Sequence, residues 1–178
     1  KGLIPDSFVK QAKKNYIPNL AYGAKVTASS YYDEWFKPEY ATDDNNATLW
    51  RAKNCHGNEW ITLDLGEEKK FNQVWTQFEY TTFFYQYKIE TSADGNTWAL
   101  YSDKTDNVYQ GSPMIDQGEC KARYIRITVT DTQKNGHFPA IWNVKVYNAT
   151  KKKDPMKLLP EVEIDETAAD VDGDGFIT

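Results

Sequence analysis

The stretch "ARYIRITVT", from Ala122 to Thr130, alternates between apolar and polar side chains. In an extended chain successive side chains point to opposite faces, so every second residue shares a face. The aliphatic face consists of Ile125, Ile127 and Val129, and the other face of Tyr124, Arg126 and Thr128. This period of two predicts a β-strand that buries one face against a core.

Segments of the same kind lie on both sides of this strand. "IWNVKVY" follows it and places Trp142, Val144 and Val146 on one face. Three segments rich in β-branched and aromatic residues precede it: "WITLDLG" (60–66), "QVWTQFEY" (73–80) and "YKIETS" (87–92). The pair Asp94–Gly95 is a hairpin signal. Closely spaced strands without helices between them predict an all-β antiparallel sandwich or barrel.

Both ends of the chain differ from this central region. "DSFVKQAKKNY" (6–16) predicts a short helix, because Phe8, Ala12 and Tyr16 recur on one face and Pro18 stops it. Residues 149–169 carry a basic run and then an acidic run with few apolar residues, which is typical of a linker. The expected organisation is an extension over 1–18, a globular domain over 19–148, the linker, and a last segment over 170–178.

The last segment, "DVDGDGFIT", spaces Asp170, Asp172, Asp174 and Gly175 as in the first half of a calcium loop. It resembles the start of the loops in dockerins and EF-hands, without the bidentate Glu at position twelve. A chain that begins without Met and stops inside such a loop is expected to be a piece of a larger secreted protein.

Charge and composition narrow the classes of function. The net charge is −5, and residues 151–178 hold four Lys and eight Asp or Glu, so the remainder carries only about −1. A nearly neutral body argues against a nucleic-acid partner and makes a membrane partner improbable, since both need clustered positive charge. The six Trp, twelve Tyr and eight Phe exceed the needs of a core, so we expect some aromatic rings to be exposed and functional.

Six motifs in order resemble one family. They are "NLAYGAKVTASS", "ATDDNNATLW", "EWITLDLG", "YKIETSADGNTW", "ARYIRITV" and "IWNVKVY". Their order and spacing resemble those of discoidin domains, also called coagulation factor 5/8 type C domains, whose bacterial branch is the family 32 carbohydrate-binding modules. The resemblance covers residues 19–148. It implies an eight-stranded jelly-roll β-sandwich whose loops at one end bind a ligand.

The resemblance also implies a structural Ca²⁺ beside those loops, at "ATDDNNATLW" (41–50). Its ligands would be oxygen atoms of five residues: Tyr40, Asp43, Asn45, Thr48 and Asn143. Oxygen donors on a tight loop suit a hard cation. Asp44 stands where the family often has Gly, and the alternative is an Asx turn at Asp43 without a metal.

The implied topology separates the two cysteines. Cys55 would lie in a loop at the ligand-binding end, and Cys120 at the start of a strand that runs toward that end from the opposite pole. A strand of six residues spans about 20 Å, whereas a disulfide needs Cα atoms within about 7 Å. We therefore expect two free thiols.

Four loops are expected to meet at the ligand-binding end: loop 1 (31–40), loop 2 (51–60), loop 3 (78–87) and loop 4 (130–140). Their candidate ligand-binding residues are, in loop order, Trp35 and Phe36, Arg51 and His56, Glu79 and Tyr80, and His137 and Phe138. Aromatic faces cover the C–H side of a pyranose, while charged and amide groups bond its hydroxyls. The run Phe83–Tyr85 is interpreted as core or rim packing.

The predicted function is a non-catalytic carbohydrate-binding module that directs an attached glycoside hydrolase to a glycan. Loop 3 lacks the Arg and Asn of many galactose-binding members, so the sugar stays open between a galactose-containing glycan and a plant or host polysaccharide. No carboxylate pair or nucleophile arrangement indicates catalysis. The alternative is a lipid- or protein-binding adhesion module of the discoidin type. We expect a bacterial protein, extracellular, cell-surface or periplasmic, and a monomer.

Overall fold

The computed structural model describes residues 16–149. The predicted N-terminal helix, the linker and the calcium-loop segment fall almost wholly outside these residues. Seven strands and one short 3₁₀ helix (Pro38–Thr42) occur in the described part of the chain. The strands are β1 (Lys25–Ala28), β2 (Trp50–Arg51), β3 (Glu59–Phe78), β4 (Tyr85–Ser92), β5 (Ala99–Lys104), β6 (Met114–Thr132) and β7 (Ala140–Tyr147). All strand pairs are antiparallel, which confirms the all-β prediction.

Two long strands, β3 and β6, take part in both layers of the sandwich. Their halves at residues 59–64 and 124–129 pair with each other between β1 and β4. The other halves, at 69–76 and 114–122, pair with each other beside β7. The register shifts between Asp64 and Lys69, next to Gly66 with φ +84°. Because this irregularity bends β3 without ending it, the segments predicted as two strands, "WITLDLG" and "QVWTQFEY", form one.

The core lies between the two layers. Ile125, Ile127 and Val129 are almost fully buried, as the alternation of β6 predicts. They share the interior with large side chains from β2, β3 and β4, among them Trp50, Phe71, Phe78, Tyr85 and Tyr87. The Phe78 and Tyr85 rings stack with centroids 4.2 Å apart. The core therefore extends to the end of the sandwich where loop 3 begins.

The predicted faces of β7 are partly wrong. Val144 and Val146 are buried, but Trp142 is half-buried and Asn143 is 1% exposed. Gln77 and Phe78 are adjacent in β3 but pair with Asn143 and Ile141, so Trp142 is the extra residue of a bulge in β7. Such a bulge breaks the period of two and turns a polar residue inward, which the local pattern does not reveal.

Both cysteines are free, as predicted. Cys120 lies opposite Phe71 in the β3–β6 ladder, with its Sγ 3.6 Å from Thr91 Oγ1. Cys55 lies in loop 2. Among residues 16–149, no helix is long and apolar enough to cross a membrane.

Candidate functional site

Loop 1 contacts loops 2 and 4 through Tyr32. The Tyr32 N–H donates to the Arg51 carbonyl at 2.8 Å. Its ring meets Phe36 and Phe138 edge to face, with centroids 5.9 and 5.7 Å apart. Three of the four predicted loops therefore meet at one aromatic cluster.

Arg51 connects this cluster to loop 3. Its guanidinium lies over the Phe36 ring, 4.4 Å from the centroid, and forms an ion pair with Glu79. The Glu79 side chain is only 7% exposed, and that of Arg51 27%. Stacking and ion pairing hold the guanidinium in one place, with its outer edge open to solvent.

His137 completes a polar centre formed by Arg51, Glu79 and His137. Its Nε2 lies 3.8 Å from Glu79 Oε2 and 3.4 Å from the Tyr85 hydroxyl. Burial lowers the pKa of His137, although the Glu79 carboxylate opposes this effect. The imidazole is therefore neutral near pH 7, with one nitrogen as donor and the other as acceptor. Glu79 Oε2 is buried and accepts no hydrogen bond within residues 16–149.

Aromatic rings of loop 3 surround His137. The centroids of Tyr80 and Phe83 lie 5.2 and 5.6 Å from that of His137. Tyr80 is 43% exposed, whereas Tyr85 is buried and Phe83 packs against the core. The packing interpretation of Phe83 and Tyr85 is thus supported, although both also line the polar centre.

Trp35 and His56 stand at the edge of this site. The Trp35 ring is 80% exposed at the tip of loop 1, where its backbone N–H donates to Asp33 Oδ1 at 2.8 Å. His56 is exposed and lines a cleft of about 110 Å³ between loops 2 and 4, which it shares with His137. The structure thus joins five of the eight predicted residues by direct contacts, links Phe138 to them through Tyr32, and leaves two at the rim.

Sequence reasoning missed two kinds of residue here. Tyr31 and Tyr32, half-exposed at 42% and 50%, lie in loop 1 a few residues before Trp35 and Phe36. The high proportion of aromatic residues in loop 1 could have indicated them in the sequence. Glu59 was missed because nothing in the sequence marks it: it is the first residue of β3 and is 5% exposed.

Glu59 joins loop 2 to the segment that precedes loop 1. Its Oε2 accepts hydrogen bonds from the Ser29 and Ser30 hydroxyls, and its Oε1 accepts one from Asn54 Nδ2 at 2.7 Å. Each serine oxygen also accepts a backbone N–H, from Trp60 and Lys53 respectively. Each hydroxyl has a single proton, and in both serines the Glu59 carboxylate is the nearest acceptor for it.

The predicted metal loop forms a tight turn. Thr48 Oγ1 lies 2.6 Å from Asp43 Oδ2 and 3.2 Å from the Asn45 carbonyl oxygen. The Asn45 N–H donates to Asp43 Oδ1 at 2.9 Å, which is the hydrogen bond of an Asx turn. Tyr40 belongs to the preceding 3₁₀ helix, and its N–H donates to the Lys37 carbonyl.

Asp44 and Asn143 fix this turn to β7. Asp44 has φ +55°, the conformation for which the family often uses Gly. Its N–H donates to Asn143 Oδ1 at 3.0 Å, and its carboxylate pairs with Lys145 at 2.6 Å. Asn143 Nδ2 is buried and has no partner within residues 16–149.

The donor set of this turn suits a hard cation. Oxygen atoms of Asp43, Asn45 and Thr48 lie within hydrogen-bond distance of one another, and oxygen atoms are the ligands that Ca²⁺ takes in proteins. Within residues 16–149 no three His, Cys, Asp or Glu side chains come together as a metal cluster. A cation here would therefore depend on hydroxyl and carbonyl oxygens in addition to the Asp43 carboxylate.

The fold and the loop cluster define a β-sandwich module whose predicted binding loops meet at one end. The family model of the F5/8 type C domain matches residues 25–144, and the chain belongs to this family. Rat (Rattus norvegicus) lactadherin is 31% identical over 137 residues, which cover 65% of this chain and 31% of lactadherin. The chain thus spans about a third of that relative.

Solved structures of carbohydrate-binding modules share the fold. Chitosan-binding module 1 of a chitosanase/glucanase from Paenibacillus sp. IK-5 superposes with a TM-score of 0.66 at 25% identity, over 73% of this chain and 98% of the module. CpGH89CBM32-4 from Clostridium perfringens, solved with GlcNAc-α-1,4-galactose, gives 0.65 at 20% identity, over 74% and 94%. Domains of this type are generally non-catalytic and typically extracellular or secreted.

Proposed function

We propose that this domain is a non-catalytic carbohydrate-binding module whose site lies over the polar centre Arg51, Glu79 and His137. The observation that carries the proposal is this centre with aromatic rings around it, from Phe36 and Phe138 on one side to Tyr80 on the other. Rings offer apolar faces to a pyranose, and the guanidinium and imidazole offer directional bonds to its hydroxyls.

Related folds support a glycan partner. Module 2 of the Paenibacillus chitosanase/glucanase was solved with chitotriose, and the Clostridium module with a disaccharide. Both are 24% or less identical to this chain, so they support the fold and leave the sugar open. We further propose that a glycoside hydrolase accompanies the module in a secreted or surface-attached bacterial protein. Attachment raises the effective concentration of a weak, monomeric binder at its substrate.

Calcium is the second part of the proposal. Asp43, Asn45 and Thr48 would hold Ca²⁺, with Asn143 closing the turn from β7 and Tyr40 adding a backbone oxygen. The ion would brace the start of β2, which leads into loop 2, and would take no direct part in sugar binding. The buried Asn143 Nδ2 group is a hydrogen-bond donor with no acceptor within residues 16–149, which supports an ordered water at this position that could also contact the ion.

A glycan array tests the sugar-binding proposal. Trp35→Ala is expected to weaken binding to the glycans that the wild type selects about tenfold, because an exposed aromatic ring that stacks on the sugar is lost. The Trp35 ring is 80% exposed, so the variant should keep its melting temperature. Leu100→Ala, a 59% exposed residue on β5, is the control and should bind normally. Unchanged binding by Trp35→Ala would refute the site at loop 1.

Lipid binding is the competing function, and the charges around Trp35 oppose it. Asp33 and Glu34 precede Trp35, and the nearby Lys37 ammonium already pairs with Glu34 at 2.6 Å. Anionic headgroups favour exposed Lys and Arg beside apolar tips. Pelleting with phosphatidylserine vesicles should therefore leave the domain in the supernatant. Co-sedimentation that Trp35→Ala abolishes would favour the lipid function instead.

A further inference from the structure

A fifth loop, loop 5 (105–113), also lies at the ligand-binding end. It joins β5 to β6, and Gln110 forms an isolated β-bridge with Phe84 of loop 3. Gln110 Nε2 donates to Gln133 Oε1 of loop 4 at 2.9 Å, and the Gln133 N–H donates to the Phe84 carbonyl at 3.0 Å. Loop 5 is therefore bonded to two loops of the candidate site.

Loop 5 presents the Tyr109 ring on a fixed backbone. Asn107 is 7% exposed, and its Nδ2 donates to the carbonyls of Tyr85 and Tyr109, both at 3.0 Å. The Tyr109 N–H donates in return to Asn107 Oδ1 at 3.1 Å. The Tyr109 residue itself is 77% exposed. A ring on a fixed backbone loses little entropy on binding, which favours a contact role.

The polar centre consequently has aromatic residues on two flanks. The first flank belongs to loops 1 and 4 and consists of Tyr31, Tyr32, Trp35, Phe36 and Phe138. The second belongs to loops 3 and 5 and consists of Tyr80, Phe83, Phe84 and Tyr109. The most exposed aromatic residue of the first flank is Trp35, at 80%, and that of the second is Tyr109, at 77%.

We propose that Tyr109 forms a second sugar subsite, so that the module binds an oligosaccharide of at least two residues across both flanks. This inference rests on the proposed function. The neighbouring carboxamides of Gln110 and Gln133 supply donors and acceptors for sugar hydroxyls. Loop 5 contains one charged residue, Asp106, and no Lys or Arg, which favours a neutral sugar over an anionic lipid or an anionic glycan.

The test compares matched glycans on one printed array, each terminal monosaccharide beside its chain-extended oligosaccharides. Tyr109→Ala should weaken binding to the oligosaccharides roughly fivefold and leave monosaccharide binding unchanged, since one stacked ring is lost. Trp35→Ala should weaken both. Tyr109→Phe keeps the ring and should bind like the wild type. Val108→Ala, at the 64% exposed neighbour, is the matched control and should also bind normally.

The outcomes separate this inference from the proposed function. Equal oligosaccharide binding by Tyr109→Ala and the wild type overturns the second subsite while the module remains a sugar binder. A folded wild type that binds no glycan on the array overturns both proposals. If Tyr109→Ala and Val108→Ala instead both reduce pelleting with phosphatidylserine vesicles, loop 5 is a lipid contact and the subsite is wrong.

Discussion

Replacing Glu59 by Gln tests how the binding loops are held in place. In the Glu59→Gln variant the carboxamide oxygen can still accept the Asn54 Nδ2–H, but the new NH₂ group would face the Ser29 and Ser30 hydroxyls. Both serine oxygens already accept backbone N–H groups, so their protons lose the acceptor that the carboxylate provides. Each hydrogen bond to a charged group contributes about 1.5 kcal/mol or more.

The expected loss of stability follows from the number of hydrogen bonds that the variant loses. Two such bonds, each at the low end of this range, would contribute about 3 kcal/mol. The Ser29 hydroxyl can turn partly toward the Trp60 carbonyl, 3.4 Å away, so we expect the free energy of unfolding to fall by about 2 kcal/mol. For a domain of this size that is roughly 8 °C in Tm. Urea denaturation and thermal melts monitored by circular dichroism measure both quantities.

A control and a local measurement sharpen the experiment. Glu67→Gln changes an exposed glutamate on the same strand and should alter stability by less than about 0.5 kcal/mol. Hydrogen exchange in Glu59→Gln should rise first at the amides of Trp60 and Lys53, which the serines hold. If Glu59→Gln is as stable as Glu67→Gln, the Ser29 and Ser30 hydroxyls do not depend on the Glu59 carboxylate as their acceptor, and the reasoning is refuted.

Two further predictions concern a metal and a proton. A Ca²⁺ chelator should lower the Tm of the wild type, because an ion that binds only the folded state stabilises that state. Asp43→Ala should abolish this sensitivity to chelator. If the chelator does not change the Tm of the wild type, the turn at Asp43 is an Asx turn without a metal. Backbone N–H groups of Thr97 and Asn96 lower the pKa of Asp94 from 3.8 to about 2. The ionised carboxylate of Asp94 thus stabilises the fold, and this stabilisation is lost as the pH falls through the folded-state pKa. Asp94→Asn should therefore lower the Tm at pH 7 and have little effect near pH 2. An equal fall in Tm at both pH values would contradict the stabilising role of the carboxylate.

The sequence by itself determined the fold class and the composition of the loops. Alternation in "ARYIRITVT" is local, and Ile125, Ile127 and Val129 occupy the core that it predicts. Large aromatics among charges and proline in loop 1 indicated exposure, and Trp35 is 80% exposed. Both signals depend only on residues that are close in sequence, because a few consecutive positions suffice to show the period of a strand or the polarity of a loop.

Only the tertiary structure decided which side chains meet. Arg51 and Glu79 are 28 residues apart, and Gln110 and Gln133 are 23 apart, so no local pattern couples either pair. The bulge at Trp142 in β7 reverses the expected alternation and buries Asn143. Loop 5 contacts loops 3 and 4 because β5 ends and β6 begins beside them. Strand register and bulges set these encounters, since a shift of one residue along a ladder reverses which face each side chain occupies.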